Sequence, residues 1–244
     1  MVFRPLKLSG RNGSAPIPEN DMQVPLKHDL NGKSCWLSSG RCLFLEDQRM
    51  LVLSDLHFGK TGHFRKAGIG VPQQVYQEDL LRLMEQIHYF KPDTILFTGD
   101  LFHSAENLEH DLFARWRQAI TQARLVLVKG NHDRLPDSVY TSIDIEPFTG
   151  HFVSGNYGFI HDIADERPAD DVYWFSGHVH PGIRIHGLGR QSLSFPCFHF
   201  TPGHAILPAF SRFTGLKMVY PETKDAVYAI IPSEGGRHTV MRCP

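Results

Sequence analysis

Cysteine is scarce in this 244-residue chain: Cys35, Cys42, Cys197 and Cys243 are its four, scattered, with no C-x-x-C among them. So few supply no disulfide framework, and they fit a reduced, cytoplasmic setting. An excess of either charge is lacking too. Lys and Arg total 25 against 26 Asp and Glu, a net of −1. No global field would draw this chain onto nucleic acid or an anionic membrane, although a local basic patch remains open. No apolar run reaches the length of a membrane span. Arg4 and Lys7 have no apolar stretch behind them, so no signal peptide is expected. There is no internal repeat and no low-complexity tract.

Histidine is what the chain has in plenty, at 15 residues. Imidazole is a common metal ligand and acid–base group, so the question is which histidines cluster. The length suits one domain. Residues 1–30, with Pro5, Pro16, Pro18 and Pro25, read as an extended lead-in, and 31–244 as the domain itself. Two or three strands are expected between Ser34 and Ser54. Pro72 opens a helix with Tyr76, Leu80, Leu83, Met84 and Ile87 at helical spacing, and Lys91-Pro92 stops it. TILFTGD (94–100) is a strand, 106–123 a second helix, and RLVLVKGNHD (124–133) a strand running into a polar turn. After residue 150 short β runs follow, ending in an expected hairpin of 226–232 with 238–242. The first half is β-α-β-α-β and the second mostly β, an α/β layered domain with helices outside packed sheets.

Five apolar runs each end in polar, metal-competent residues. LVLSDLHFGK delivers Asp55 and His57, and TILFTGD delivers Asp100. LVLVKGNHD delivers Asn131, His132 and Asp133; FIHD delivers His161 and Asp162; FSGHVHP delivers His178 and His180. In open α/β sheets ligands bind where the strands end. Mixed oxygen and nitrogen donors suit manganese, iron or zinc. They are too many for one ion, but two ions sharing a carboxylate can orient a phosphate and activate a water. D-x-H and G-D alone are weak signals, GNHD is much rarer, and GHVH is suggestive although paired histidines also occur on plain strands. None of them decides alone. The ordered series, each member behind an apolar strand, does.

With SDLHFG, TGDLF, KGNHDR, FIHD and SGHVHP in that order over about residues 50–185, the sequence resembles the calcineurin-like metallophosphoesterases. DLHFGKTGHFRKAGIGVP, GDLFHS and the distal LPAFSRFTG are similar to one bacterial subfamily, the ligase-associated DNA damage response endonucleases of the PdeM type. The resemblance implies a four-layer α/β/β/α sandwich. It implies two divalent ions, manganese first and iron or zinc next. One would be held by Asp55, His57 and His180, the other by Asn131, His161 and His178, with Asp100 bridging. His132 would protonate the leaving oxygen and Asp133 would orient His132. DNA is the implied substrate, and a DNA ligase and a helicase are implied companions. One departure stands out: the third segment is HDI, where other members of the superfamily often have HGH or HEP.

Other residues carry two readings each. Lys60, Arg65 and Lys66 form either a phosphate-binding edge, with Arg65 foremost because guanidinium pairs bidentately with phosphate, or a solvated basic loop. His63 in that loop fits the surface. His103 either contacts substrate or caps a helix. Asp133 can orient His132, close the GNHD turn, or do both. Phe195, Phe198, Phe200, Phe210 and Phe213 can stack on bases but suit a core. The expectation is a phosphodiester hydrolase acting on DNA as an endonuclease. A small nucleotide diesterase is the alternative, a non-catalytic scaffold the third reading, and a homo-oligomer is compatible with all of them.

Overall fold

In the computed structural model, residues 23–58, 74–102, 107–118, 120–165, 171–187, 191–212 and 214–244 are described. The first sheet contains β1 (Leu26–Leu30), β2 (Lys33–Ser38), β3 (Cys42–Leu45) and β4 (Met50–Leu53), an antiparallel meander. Strand β1 therefore claims the last five residues of the segment expected to be a lead-in, and residues 1–22 lie outside the described ones. Helix α1 (Gln74–Phe90) follows, then β5 (Thr94–Phe97), α2 (Asn107–Gln118), β6 (Arg124–Val128), α3 (Asp137–Ser142) and β7 (Ile145–Phe148). From β4 to β7 the pairing is parallel, so the sheet runs in chain order from edge to edge.

The second sheet takes β8 (His151–Ser154), β9 (Tyr157–Ile160), β10 (Tyr173–Ser176), β11 (Pro181–His186), β12 (Ser192–Phe200), β13 (His204–Ile206) and β14 (Lys217–Met218). The hairpin β15 (Ala226–Pro232) and β16 (His238–Arg242) attaches to it through β12. Strand order is β14-β11-β12-β13-β10-β9-β8, with β9 and β10 parallel.

The strand period of two sorts the first sheet's side chains. Val52, Leu96 and Val126 face the second sheet and meet Phe159, Phe175 and Phe198. Leu51, Leu53, Ile95, Phe97, Leu125 and Leu127 face the helices and meet Leu83, Phe113, Trp116 and Tyr140. Being buried on both faces, β4, β5 and β6 are continuous apolar runs, as central parallel strands must be. Each fully buried aromatic contributes about 1.5–3 kcal/mol over its exposed state. Helix α1 ends where expected: Lys91 turns into the left-handed region (φ 47°) and its N–H bonds the Ile87 carbonyl at 2.9 Å, with Pro92 next.

The protein is a mixed α/β fold of two sheets sharing one core, in line with the sequence. Helices α1, α2 and α3 all cover the first sheet. Phe198, Phe200 and Phe210 are buried in the cores, which takes them out of any base-stacking role.

Candidate metal centre

All five metal-competent segments follow the C-terminal ends of β4, β5, β6, β9 and β10. The loop after β4 is stitched to the loop after β5 through the main chain: the N–H groups of Asp55, His57 and Phe58 donate to the carbonyls of Gly99, Asp100 and Leu101 at 3.1, 2.8 and 2.8 Å. Five residues at these ends hold left-handed backbones: Asp55 (φ 54°), His57 (48°), Asp100 (53°), His178 (62°) and His180 (51°). Each such non-glycine conformation is strained, at a cost of order 1–3 kcal/mol, and persists only where its surroundings enforce it. Gly99 (φ 94°) and Gly177 enable the approach: a Cβ on Gly99 would lie 2.0 Å from His161 Nδ1, and one on Gly177 would lie 2.6 Å from Asp55 Oδ2.

Two groups of ligand atoms result. Asp55, His57 and His180 form one, and Asp100, His161 and His178 the other; within each, the ligand atoms lie within 4.8 Å of one another. His180 Nε2 is 3.3 Å from Asp55 Oδ1. Asp100 touches both groups, its Oδ2 lying 3.9 Å from His57 Nε2 and 3.5 Å from His161 Nε2. Asn131 joins the second group, with Oδ1 3.1 Å from His161 Nε2.

The donor set fits divalent cations. His161 Nδ1 lies 2.9 Å from the Thr98 carbonyl, which only accepts, so this nitrogen carries the proton and Nε2 presents a lone pair. Facing that lone pair are Asn131 Oδ1 and His178 Nδ1, each at 3.1 Å, and Asp100 Oδ2. A carboxylate and lone pairs converging on one space call for a positive charge between them. The other ring nitrogen of His178, Nε2, faces Asp162 Oδ2 at 3.6 Å. The HDI departure thus places a carboxylate behind a candidate ligand, and Asp162 Oδ1 is itself held by the Ala164 N–H at 3.0 Å.

Buried Asp55 keeps its charge. Burial opposes ionisation, but the imidazole of His180 outweighs it and holds the carboxyl below its ordinary value. Asp133 is different. Its oxygens accept from the N–H groups of Gly130 (2.9 Å), Leu101 (3.1 Å) and Phe102 (3.2 Å). Burial pushes its carboxyl up to about 6 against those three donors. Asp133 thus closes the GNHD loop and ties it to the loop after β5, so its hold on His132 runs through the main chain. The His132 N–H donates to Asp100 Oδ1 at 2.9 Å, and its ring stands edge-on to His57, centroids 5.4 Å apart. Arg65, with Lys60, His63, Lys66 and His103, lies outside the described residues.

A family model for the calcineurin-like phosphoesterases matches residues 48–180, more than half of the chain and the whole run of motifs. The chain belongs to the calcineurin-like phosphoesterase family. Together with the two ligand groups, this makes it a metal-dependent phosphoesterase. Among solved structures, a Pseudomonas putida protein described as nuclease MPE shares its fold at TM-score 0.72, with 24% identity over 89% of this chain and 100% of that one. Yfce, a phosphoesterase from E. coli, aligns at TM-score 0.40 and 10% identity, covering 80% of this chain and 97% of its own.

Sequence reasoning noted LPAFSRFTG only as a resemblance, without a structural role, and missed Thr98. Thr98 acts through its carbonyl, which every residue has, so its residue type carried no signal.

Proposed function

We propose that this phosphoesterase cleaves DNA phosphodiesters as an endonuclease, with two manganese ions, in DNA repair. The observation that carries the reading is Asp100, whose carboxylate reaches toward both ligand groups. Lying near both, it suits a shared ligand. Bound there, two divalent ions supply charge to stabilise the non-bridging phosphate oxygens and acidify a water for attack on phosphorus. Asp55, His57 and His180 would hold one ion, Asn131, His161 and His178 the other. His132, beside His57, would donate a proton to the departing oxygen, while Asp133 keeps the His132 loop in place.

DNA as substrate draws support from the nuclease description of the Pseudomonas putida protein with the same fold and from the motif resemblance. Against the net charge of −1, the ions themselves provide local positive charge, and a partner can present the strand. A DNA ligase and a helicase are the companions proposed, and the cytoplasm the compartment. Among the described residues no helix is long and apolar enough to cross a membrane.

The test is a paired assay with manganese, using linear and circular single- and double-stranded DNA beside a chromogenic diester. His132→Ala and Asp100→Ala serve as controls, with metal content read on each. Cleavage of circular DNA that both variants lose is the expected result. Two fully occupied metals in Asp100→Ala would remove the bridging role. Diester turnover with no DNA cleavage would move the substrate to small nucleotides.

A further inference from the structure

The distal LPAFSR stretch lies beyond the last candidate ligand, yet it runs directly beneath the centre. Leu207 donates its N–H to the carbonyl of Ser176 at 2.8 Å, at the end of β10 and two residues before His178. Ala209 bridges Ser54 in parallel fashion. Phe210 and Ser211 then donate to the carbonyls of Ser54 and Asp55, at 2.8 and 3.2 Å. Residues 207–211 thus form a strap that binds the second sheet at one end and the first sheet at the other. It attaches to the backbone of a candidate ligand that holds a left-handed conformation.

The strap's own carbonyls are taken up by two arginines. Arg41, in the turn between β2 and β3, donates from Nη1 to the carbonyls of Ala209 (3.2 Å) and Ser211 (2.9 Å). Arg82, on α1, donates from Nη2 to the carbonyl between them, that of Phe210. Its guanidinium lies 4.3 Å from the centroid of the Phe210 ring and pairs with Asp79 at 2.8 Å. Three consecutive carbonyls are therefore fixed from outside while the adjoining N–H groups grip the Asp55 loop. Arg82 is 8% exposed, and among the described residues its Nε and Nη1 have no hydrogen-bond partner. A buried charge that leaves donors unused is a poor device for general stability, and this one is aimed at the strap.

We infer that Arg41 and Arg82 are positioning residues for the metal centre: they lock the Ala209–Ser211 strap, and the strap sets the backbone of Asp55 and its register against His178 and His180. This rests on the reading that Asp55 and its neighbours hold a metal ion. Residues behind ligands that act this way change metal affinity by about 10–100-fold when removed. Their effect reaches the ion without touching it.

The experiment pairs Arg41→Met and Arg82→Met with Arg41→Lys and Arg82→Lys, each checked for folding by its far-UV and near-UV spectra. Amide hydrogen exchange is followed in metal-free protein over 54–57 and 207–211. Manganese binding is followed by titration calorimetry well below the melting temperature. Faster exchange in both segments is expected of the Met variants, with affinity for one of the two ions falling about 10-fold or more and the other retained. Lys, which can still donate to a carbonyl, restores most of both. If the Met variants merely melt earlier, with exchange in 54–57 and both affinities as in the parent, the inference is overturned. A parent protein that takes up no ion would sink the proposed function, and the exchange measurement would still decide whether the arginines hold the strap and the Asp55 loop.

Discussion

A Cβ placed on Gly177 would lie 1.6 Å from the Ser54 side-chain oxygen. The two sheets meet closely here: Gly177 precedes His178 at the end of β10, and Ser54 precedes Asp55 at the end of β4. Ser54 cannot swing aside freely, since its hydroxyl donates to the Thr98 carbonyl at 3.1 Å. Gly177→Ala is expected to push the ligand groups apart and abolish ion binding, with soluble yield much reduced. Ser54→Ala on that background should not rescue it, because the added Cβ would still lie 2.6 Å from Asp55 Oδ2 and from the position of the Ser54 Cβ. Parent-like manganese stoichiometry in Gly177→Ala would contradict the packing argument.

Asp162 stands behind His178. A carboxylate on the far nitrogen of a ligating imidazole fixes its tautomer and raises its basicity. Asp162→Asn keeps the shape and removes the charge, so affinity for one ion should fall about 10-fold or more with thermal stability of the metal-free protein unchanged. Calorimetric titration with manganese decides it: two parent-like affinities would mean the pair is a surface contact only.

His132 is beside the ligand set and outside it. His132→Ala should bind both ions and turn over an activated diester at close to the parent rate. On an unactivated diester, where the departing oxygen needs a proton, the rate should fall about 10²–10⁴-fold. Equal losses on both substrates would assign His132 to something other than proton donation.

The pH dependence of stability has a source far from the centre. His28 Nδ1 lies 2.7 Å from the Tyr228 hydroxyl, and the ring packs on Phe200 with centroids 4.2 Å apart. Burial, with Arg242 adding to it, lowers the pKa of His28 below its ordinary 6.5. A lowered folded value means the unfolded chain takes up the proton first. The contribution is therefore whole above about pH 6.5 and is lost as the pH falls below that value. His28→Phe should show a smaller drop in melting temperature between pH 7.5 and 5.5 than the parent, both measured without metal. His238, whose pKa is also lowered by burial, leaves part of the drop in place. An identical drop in both proteins would clear His28.

Much of this was legible in the sequence, and for a plain reason. Central parallel strands must be apolar throughout, so Leu51–Leu53, Ile95–Phe97 and Leu125–Val128 announced themselves, and the residues where they stop are the ones that meet at the centre. The hairpin of Ala226–Pro232 with His238–Arg242 was legible through its alternation and spacing. What was not legible acts through groups that every residue has. The left-handed turns of Asp55, His57, Asp100, His178 and His180 sit among bonds between loops distant in sequence, such as the His57 N–H to the Asp100 carbonyl and the His178 N–H to the Asp55 carboxylate. Arg41 and Arg82 are aimed at carbonyls, and nothing in their neighbours' identities points to that. Strand β1 was hidden by the proline-rich stretch before it, and its pairing with β2 is a tertiary fact.

The strap also bears on how the protein is made. Domains generally fold as units, and the residues of this one leave the ribosome in sequence order. Every candidate ligand has been added once the ribosome passes His180, but the strap ends about thirty residues later, at Ser211. A nascent chain halted at residue 200 would carry the whole ligand set, with the Asp55 loop tied to the loop after β5 but not yet to the strap. The tie between the two sheets that runs through Leu207, Phe210 and Ser211 would be added only as the LPAFSR stretch leaves the exit tunnel, so the brace on the Asp55 loop is completed after its ligands are made.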